Sequence, residues 1–202
     1  MVDLDPQRLR VVPQDFTAVS VTTAGEKLVS ATNLGNLYVL DASLEEVGRA
    51  TTQSPQTIRP LRATPDGHYV FHGGTGLGTM TCGLRCDFGS KETKWDHFIF
   101  PDQYAHESRA VAVSPNGKLV AFGFADGTVR LYGTESMQPV VILRPFSGEV
   151  RGLAFGGDDG RLVIASRDGD IAVEAVDTEI ASLADKKARA GEIVGRALGF
   201  GL

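Results

Sequence analysis

The sequence predicts an all-β fold built from four tandem repeats, and three features lead to this expectation. The 202 residues include 24 glycines, well above the roughly 7% of an average protein. Apolar residues alternate with smaller ones over short runs, which is the period of a β-strand. Pro-Asp-Gly, Pro-Asn-Gly and Asp-Gly sequences separate these runs, and such sequences are typical of tight turns. Short strands joined by tight turns should therefore form most of the chain.

Each of four segments contains an alternating run, a turn ending in glycine, an apolar run, a second glycine and a third run. The segments span residues 16–41, 58–82, 108–132 and 150–174. Their first glycines, which are 42, 50 and 43 residues apart, are Gly25, Gly67, Gly117 and Gly160. Nine or ten residues later come Gly35, Gly76, Gly127 and Gly169. This period is close to the roughly 40–45 residues of one four-stranded propeller blade.

The first strand of each repeat has large residues on one face and small residues on the other. In the third repeat Val111 and Val113 alternate with Ala110 and Ala112, and Val21 is one of the large residues of the first repeat. Successive side chains of a strand point to opposite faces of the sheet. The pattern therefore predicts strands buried on both sides, between radially stacked sheets.

The repeats resemble the WD40 family over roughly residues 7–176. The resemblance implies a β-propeller of about four blades of four-stranded antiparallel sheet within residues 1–177, with residues 7–12 closing the last blade as its outer strand. The sequence departs from the family pattern: no Gly-His pair precedes a repeat, and only Leu40-Asp41 approaches the Trp-Asp that normally ends the third strand.

Four blades are few for a family whose rings commonly have seven, and the sequence leaves three arrangements open. The blades could close a four-bladed ring, two chains could form an eight-bladed ring, or a partner could complete an open half-ring. Unpaired blades expose apolar faces, which favours assembly as a homodimer or as a subunit of a larger complex.

Two stretches lie outside the repeat. The insertion at 83–107 should place an outer strand near residues 95–100, and its aromatic residues are candidates for a contact surface, or else for packing within their own blade. These residues are Trp95, Phe98, Phe100 and Tyr104. The tail at 178–202 should begin as a short helix and continue as a glycine-rich segment.

Three arginines occupy matching positions, second in the first strand of their repeats: Arg59, Arg109 and Arg151. In a propeller of the WD40 kind, these positions would ring the mouth of the central channel. Guanidinium groups bind carboxylates and phosphates bidentately, which predicts an acidic or phosphorylated peptide as the ligand. In the alternative interpretation each arginine pairs with an acid of a neighbouring blade, such as Asp126 or Asp168.

Composition and motifs exclude several classes of function. The net charge of −5 argues against nucleic-acid binding, which needs a basic face. No apolar run approaches the length of a membrane span, and a cytoplasmic protein is expected. Cys82, Cys86, His68 and His72 lack the spacing of a familiar zinc site, so no metal or other cofactor is expected.

The expected function is a non-catalytic scaffold or assembly subunit that presents a propeller face to protein partners. Neither a nucleophile elbow nor a P-loop is found in the sequence. One alternative is a propeller hydrolase or lactonase, which would need acids and histidines where the arginines stand. The other is a purely structural subunit of a larger complex.

Overall fold

The computed structural model describes residues 18–32, 36–51, 60–73, 82–87, 94–99, 108–157 and 160–177. These residues form four antiparallel sheets, called here blades 1 to 4. Blade 1 contains β1 (Ala18–Ala24), β2 (Lys27–Thr32), β3 (Asn36–Leu40) and β4 (Glu46–Thr51). Blade 2 contains β5 (Leu61–Ala63), β6 (Tyr69–His72), β7 (Cys82–Asp87) and β8 (Lys94–Ile99).

Blade 3 contains β9 (Ser108–Val113), β10 (Leu119–Phe124), β11 (Val129–Gly133) and β12 (Pro139–Leu143). Blade 4 contains β13 (Val150–Phe155), β14 (Arg161–Ser166) and β15 (Ile171–Ala175). Within every blade each strand pairs with the next along the chain. This confirms the predicted all-β class and the four repeated sheets.

The turn between the first two strands shows why these residues form hairpins. In blade 2, Asp66 Oδ1 accepts hydrogen bonds from the Thr64 hydroxyl at 2.5 Å and the His68 N–H at 3.0 Å. Gly67 follows with φ +72°, a value that favours glycine. A Cβ at Gly67 would also lie 2.7 Å from the Ala24 carbonyl of blade 1. The Pro-Asp-Gly sequence therefore closes the turn and lets the two blades approach each other.

Three apolar interfaces hold consecutive blades together. Blades 1 and 2 share a core that includes Val29, Leu37 and Leu61, while Phe71 of blade 2 packs with Phe122 of blade 3. Another core lies between blades 3 and 4, and its fully buried residues include Leu119, Leu131, Leu162 and Ile164. The chain thus buries its apolar side chains between stacked blades, as radial packing requires.

The four blades form an open arc. The inner strands pack in the order β1, β5, β9, β13, and no comparable packing joins β13 back to β1 among the described strands. Val21 of β1 is 64% exposed, although the sequence pattern predicts burial on both sides of this strand. No described blade packs against β1 on this side, whereas Tyr38 and Leu40, on the same face of β3, are buried.

The outer strands differ between blades. β8 confirms the strand predicted near residues 95–100, whereas the described part of blade 4 has three strands and ends at β15. Residues 7–12, predicted to complete blade 4, and the tail at 178–202, predicted to begin as a helix, lie outside the described residues. Within the described ranges no helix occurs that is long and apolar enough to cross a membrane.

Candidate functional site

The candidate site lies at the end of the arc where the chain passes from blade 3 to blade 4. Arg109 is the second residue of β9, and Arg151 is the second residue of β13. The pairing of Ser108 with Phe124 places the start of β9 beside the β10–β11 turn, and the pairing of Val150 with Ser166 does the same for β13 and the β14–β15 turn. Both arginines and both turns therefore share one end of the two blades.

Glu149 lies between the arginines. Arg109 Nε is 3.0 Å from Glu149 Oε1, in an ion pair that is not aligned for a hydrogen bond. Arg151 NH2 is 3.0 Å from the other carboxylate oxygen, Oε2, and Arg167 NH1 is 3.9 Å from the same oxygen. The structure thus brings two of the three predicted arginines together and adds Arg167 from the β14–β15 turn.

The chain segment before Glu149 is held by close backbone contacts. Gly127 has φ +81°, and a Cβ there would collide with the carbonyl oxygen of Phe146. The Arg167 N–H donates a hydrogen bond of 2.8 Å to the Glu149 carbonyl, and the Asp168 carboxylate lies against Gly148. The turns of blades 3 and 4 therefore fix the backbone that carries Glu149.

The Glu149 carboxylate and its arginine partners differ in charge and in exposure to solvent. The Glu149 side chain is only 11% exposed, whereas the Arg151 side chain is 50% exposed and that of Arg167 is 70% exposed. Three guanidinium groups lie within 4 Å of the Glu149 carboxylate, and those of Arg151 and Arg167 face solvent. Exposed guanidinium groups can form bidentate hydrogen bonds with carboxylates and phosphates.

Glu149, which pairs with the arginines, was not named from the sequence. Asp126 Oδ1 accepts hydrogen bonds from the Thr128 N–H at 3.0 Å and the Thr128 hydroxyl at 2.6 Å within its own turn. Glu149 was not predicted from the sequence because it lies one residue before the fourth repeat begins. Its place directly before a strand whose second residue is arginine is the signal that could have identified it.

The remaining predicted contact residues are less fully described. Arg59 lies outside the described residues, as do Phe100 and Tyr104. Trp95 and Phe98 belong to β8, the outer strand of blade 2, and the description there covers the backbone. The contact surface on the insertion therefore stays a prediction.

Of the four residues considered as metal ligands, the structure describes the side chains of His68 and His72. His68 is exposed in the β5–β6 turn, whereas His72 is buried at the end of β6, with Nδ1 2.9 Å from the Gly73 carbonyl oxygen. Cys82 and Cys86 lie on β7. A search of the described residues found no cluster of three or more His, Cys, Asp or Glu side chains suited to a metal ion.

Comparison with known proteins gives a matching family model and two relatives. A family model described as "WD domain, G-beta repeat" matches residues 102–133. The chain is 20% identical to mouse Cilia- and flagella-associated protein 57, over 78% of this chain and 16% of that protein. It is 24% identical to Pre-mRNA-processing factor 19 of Schizosaccharomyces pombe, over 74% of this chain and 28% of that protein. The chain thus spans less than a third of either relative.

The fold has a counterpart among solved structures. The β-propeller domain of Cps50 (Swd1) from Myceliophteria thermophila superposes with a TM-score of 0.65 at 15% identity, over 84% of this chain and 55% of that one. At this identity the match shows the fold alone. The repeat spacing, the four stacked antiparallel sheets and the WD repeat matched at residues 102–133 together show a divergent fold of the WD40-like β-propeller type.

Proposed function

We propose that the chain is a non-catalytic protein-interaction scaffold or assembly subunit, and that its arginine cluster binds an acidic or phosphorylated segment of a protein partner. The arginine cluster is defined as Arg109, Arg151 and Arg167 around Glu149. The observation that carries the proposal is the convergence of three guanidinium groups within 4 Å of one carboxylate. Arg59 is proposed to extend the cluster, and the aromatic residues of the insertion to provide a second contact surface.

Comparison with the relatives supports the general role. Repeat-built proteins of this architecture offer rigid faces made from loops, and binding residues concentrate on such loops. The relatives named above are a cilia- and flagella-associated protein and a pre-mRNA-processing factor, so the two names share no single substrate. Because the chain matches only part of each, neither name identifies its partner.

The chemistry of the cluster supports binding over catalysis. General acid–base catalysis uses groups that release and take up protons near the working pH, most often histidines and carboxylic acids. The four side chains of the cluster are three arginines, which stay charged, and one carboxylate already in ion pairs. Such a set recognises anionic groups well and offers little proton-transfer chemistry.

Fluorescence anisotropy with labelled peptides tests this proposal. A glutamate-rich peptide and a phosphoserine peptide should bind, and a glutamine-matched peptide should not. Arg151→Ala should weaken binding of the acidic peptides about 5- to 20-fold, because charge-assisted hydrogen bonds to a guanidinium are lost. Added salt should weaken binding in the same direction.

Arg161→Ala is the matched control, since Arg161 is also exposed but starts β14 at the opposite end of blade 4. It removes the same charge and should leave the affinity unchanged. If Arg109→Ala and Arg151→Ala keep wild-type affinity while circular dichroism shows an intact fold, the arginine cluster is not the binding site.

A further inference from the structure

The turn between β9 and β10 contains an asparagine followed directly by a glycine, Asn116 and Gly117, which is the only Asn-Gly pair in the sequence. Asn116 is exposed, and Gly117 has φ +73°. The backbone nitrogen of a residue can attack the side-chain carbonyl carbon of an asparagine before it, and glycine leaves this approach unobstructed because it has no side chain. The turn therefore carries the two residues needed for spontaneous loss of the side-chain amide.

The reaction replaces the amide of Asn116 by a carboxylate in two steps. The Gly117 nitrogen loses its proton and forms a bond to Cγ of Asn116, while the bond from Cγ to the side-chain nitrogen breaks, so that ammonia leaves and a cyclic imide remains. Water then adds to one of the two imide carbonyl groups. Opening at one carbonyl gives aspartate, and opening at the other gives isoaspartate, in which the backbone passes through the side chain and is longer by one methylene group.

Hydrogen bonds within the turn oppose the first step. The Gly117 N–H donates to the Ser114 carbonyl oxygen at 2.8 Å. Oδ1 of Asn116 accepts from the Ser114 hydroxyl at 2.8 Å and from the Lys118 N–H at 3.0 Å. These contacts keep the Gly117 nitrogen protonated and directed at another acceptor, and they fix the side-chain amide. The imide can form only when both groups leave these partners, which requires the turn to open.

We propose that Asn116 is a site of spontaneous deamidation, and that opening of the β9–β10 turn controls its rate. The equivalent turn of blade 2 supports this assignment, because it has an aspartate where blade 3 has Asn116. Oδ1 of that residue, Asp66, accepts hydrogen bonds from the Thr64 hydroxyl and the His68 N–H. The aspartate product therefore fits the native turn. This inference does not depend on what the arginine cluster binds.

The isoaspartate product does not fit the native turn. A Cβ at Gly117 would lie 3.2 Å from Cδ of Pro65, so the turn is in close contact with the equivalent turn of blade 2. Leu119 begins β10 two residues later and is fully buried in the core shared with blade 4. A longer backbone at position 116 lies between these two fixed contacts. Conversion to isoaspartate therefore weakens the packing of blade 3, whereas conversion to aspartate preserves it.

Peptide mapping by mass spectrometry tests the proposal. The full chain is kept at mildly alkaline pH, either folded in buffer or unfolded in concentrated urea, and the converted fraction of Asn116 is followed over time. Each hydrogen bond that must break slows the reaction by a factor of about 2 to 10, so conversion should be about 10- to 100-fold slower in the folded chain. Asn36, which precedes leucine, is the internal control and should remain an amide in both samples.

Ser114→Ala should speed conversion in the folded chain about 2- to 10-fold, because it removes the hydroxyl that donates to Asn116. Ser114→Thr should keep the wild-type rate, since Thr64 provides the same hydroxyl in blade 2. Thr128→Ala is the matched control. It removes a hydroxyl that donates to Asp126 in the turn at the opposite end of blade 3, and it should leave the rate at Asn116 unchanged.

Three results would overturn the proposal. Equal rates in the folded and unfolded chains would show that the turn does not restrain Asn116. Equal acceleration by Ser114→Ala and Thr128→Ala, with circular dichroism showing both variants folded, would show that opening of this particular turn does not control the rate. An isoaspartate form as resistant to thermal unfolding as Asn116→Asp would show that the longer backbone does not disturb the packing of blade 3.

Discussion

Asp66 and Asn116 stabilise equivalent turns in blades 2 and 3, but only Asp66 can carry a charge. Asp66 accepts hydrogen bonds from Thr64 and His68. In blade 3 the amide oxygen of Asn116 accepts them from the Ser114 hydroxyl at 2.8 Å and the Lys118 N–H at 3.0 Å. Partial burial raises the pKa of Asp66, but these hydrogen bonds outweigh it, so the pKa lies below its usual value. The carboxylate form therefore stabilises the folded state.

Asp66→Asn should keep the turn and remove its pH dependence. A lowered pKa in the folded state contributes stability above the unfolded-state value of about 3.9, and this contribution is lost as pH falls through the folded value. The variant should have a free energy of unfolding lower than wild type by less than about 1 kcal/mol near neutral pH, since the site is largely exposed. Urea unfolding should show the difference vanish in acid, once the pH falls below the folded-state pKa of Asp66. A difference that persists in acid would show that charge is not its origin.

The arginines show how far single residues could be assigned from sequence. Arg109 and Arg151 could be placed together because both are second in strands that begin at the same end of neighbouring blades. Glu149 and Arg167 could not, because one lies in the segment between blades and the other in a turn, where the repeat pattern does not fix side-chain direction. Arg59 remains a prediction.

Turns of the same sequence differ in what surrounds them, as the Asp-Gly turns of blades 3 and 4 show. Gly127 and Gly169 both have positive φ, +81° and +96°. A Cβ at Gly127 would collide with Phe146 in the segment leading to Glu149, whereas nothing lies within 4 Å of one at Gly169. The glycine at position 127 therefore serves both the backbone conformation and the approach of the neighbouring segment.

Gly127→Ala should destabilise the protein more than Gly169→Ala. The backbone strain common to both variants costs about 1 kcal/mol, and Gly127→Ala must also displace the Phe146 backbone, which should bring its cost to about 2–4 kcal/mol. Urea unfolding of the two variants measures the difference. Equal losses of stability would contradict the close approach.

The strands could be predicted where they lie within the repeated segments. The glycine spacing indicated the first three strands of blades 1, 3 and 4, and the aromatic run of the insertion indicated β8. In blade 2 the third run was expected to end at Cys82, whereas β7 is Cys82–Asp87 and lies in the stretch assigned to the insertion. β4 and β12 follow the repeated segments and have no shared motif, so only the resemblance implied outer strands there. The insertion and the extra residue before Gly160 change spacing between blades but not the order of strands, because each hairpin closes through its own turn.

Whether a blade is internal or terminal cannot be determined from its own sequence. Val21 and Val111 have equivalent positions and the same residue type, yet one is exposed and the other is buried. The sequence of a repeat places apolar residues on both faces of its blade, whether or not a neighbouring blade is present. The number of blades then decides which faces remain uncovered. The family and the radial stacking were therefore predictable, whereas the open arc is a property of the assembled chain.

The residues that join blades 3 and 4 could form a binding site, as proposed above, or serve only to hold the two blades together. Glu149→Gln separates these roles, because the amide keeps the shape of the side chain and removes the charge that competes with an anionic ligand. The measurement is the affinity of this variant for the glutamate-rich peptide, with its free energy of unfolding as a control.

Glu149→Gln should bind the acidic peptide about 3- to 10-fold more tightly than wild type, since the Glu149 carboxylate then no longer competes with the ligand for the three guanidinium groups. Its free energy of unfolding should fall by about 1–2 kcal/mol, since the Glu149 side chain is only 11% exposed whereas its arginine partners are largely exposed. Unchanged or absent peptide binding, together with a loss of several kcal/mol of stability, would show that the arginine cluster is a brace and would contradict the account.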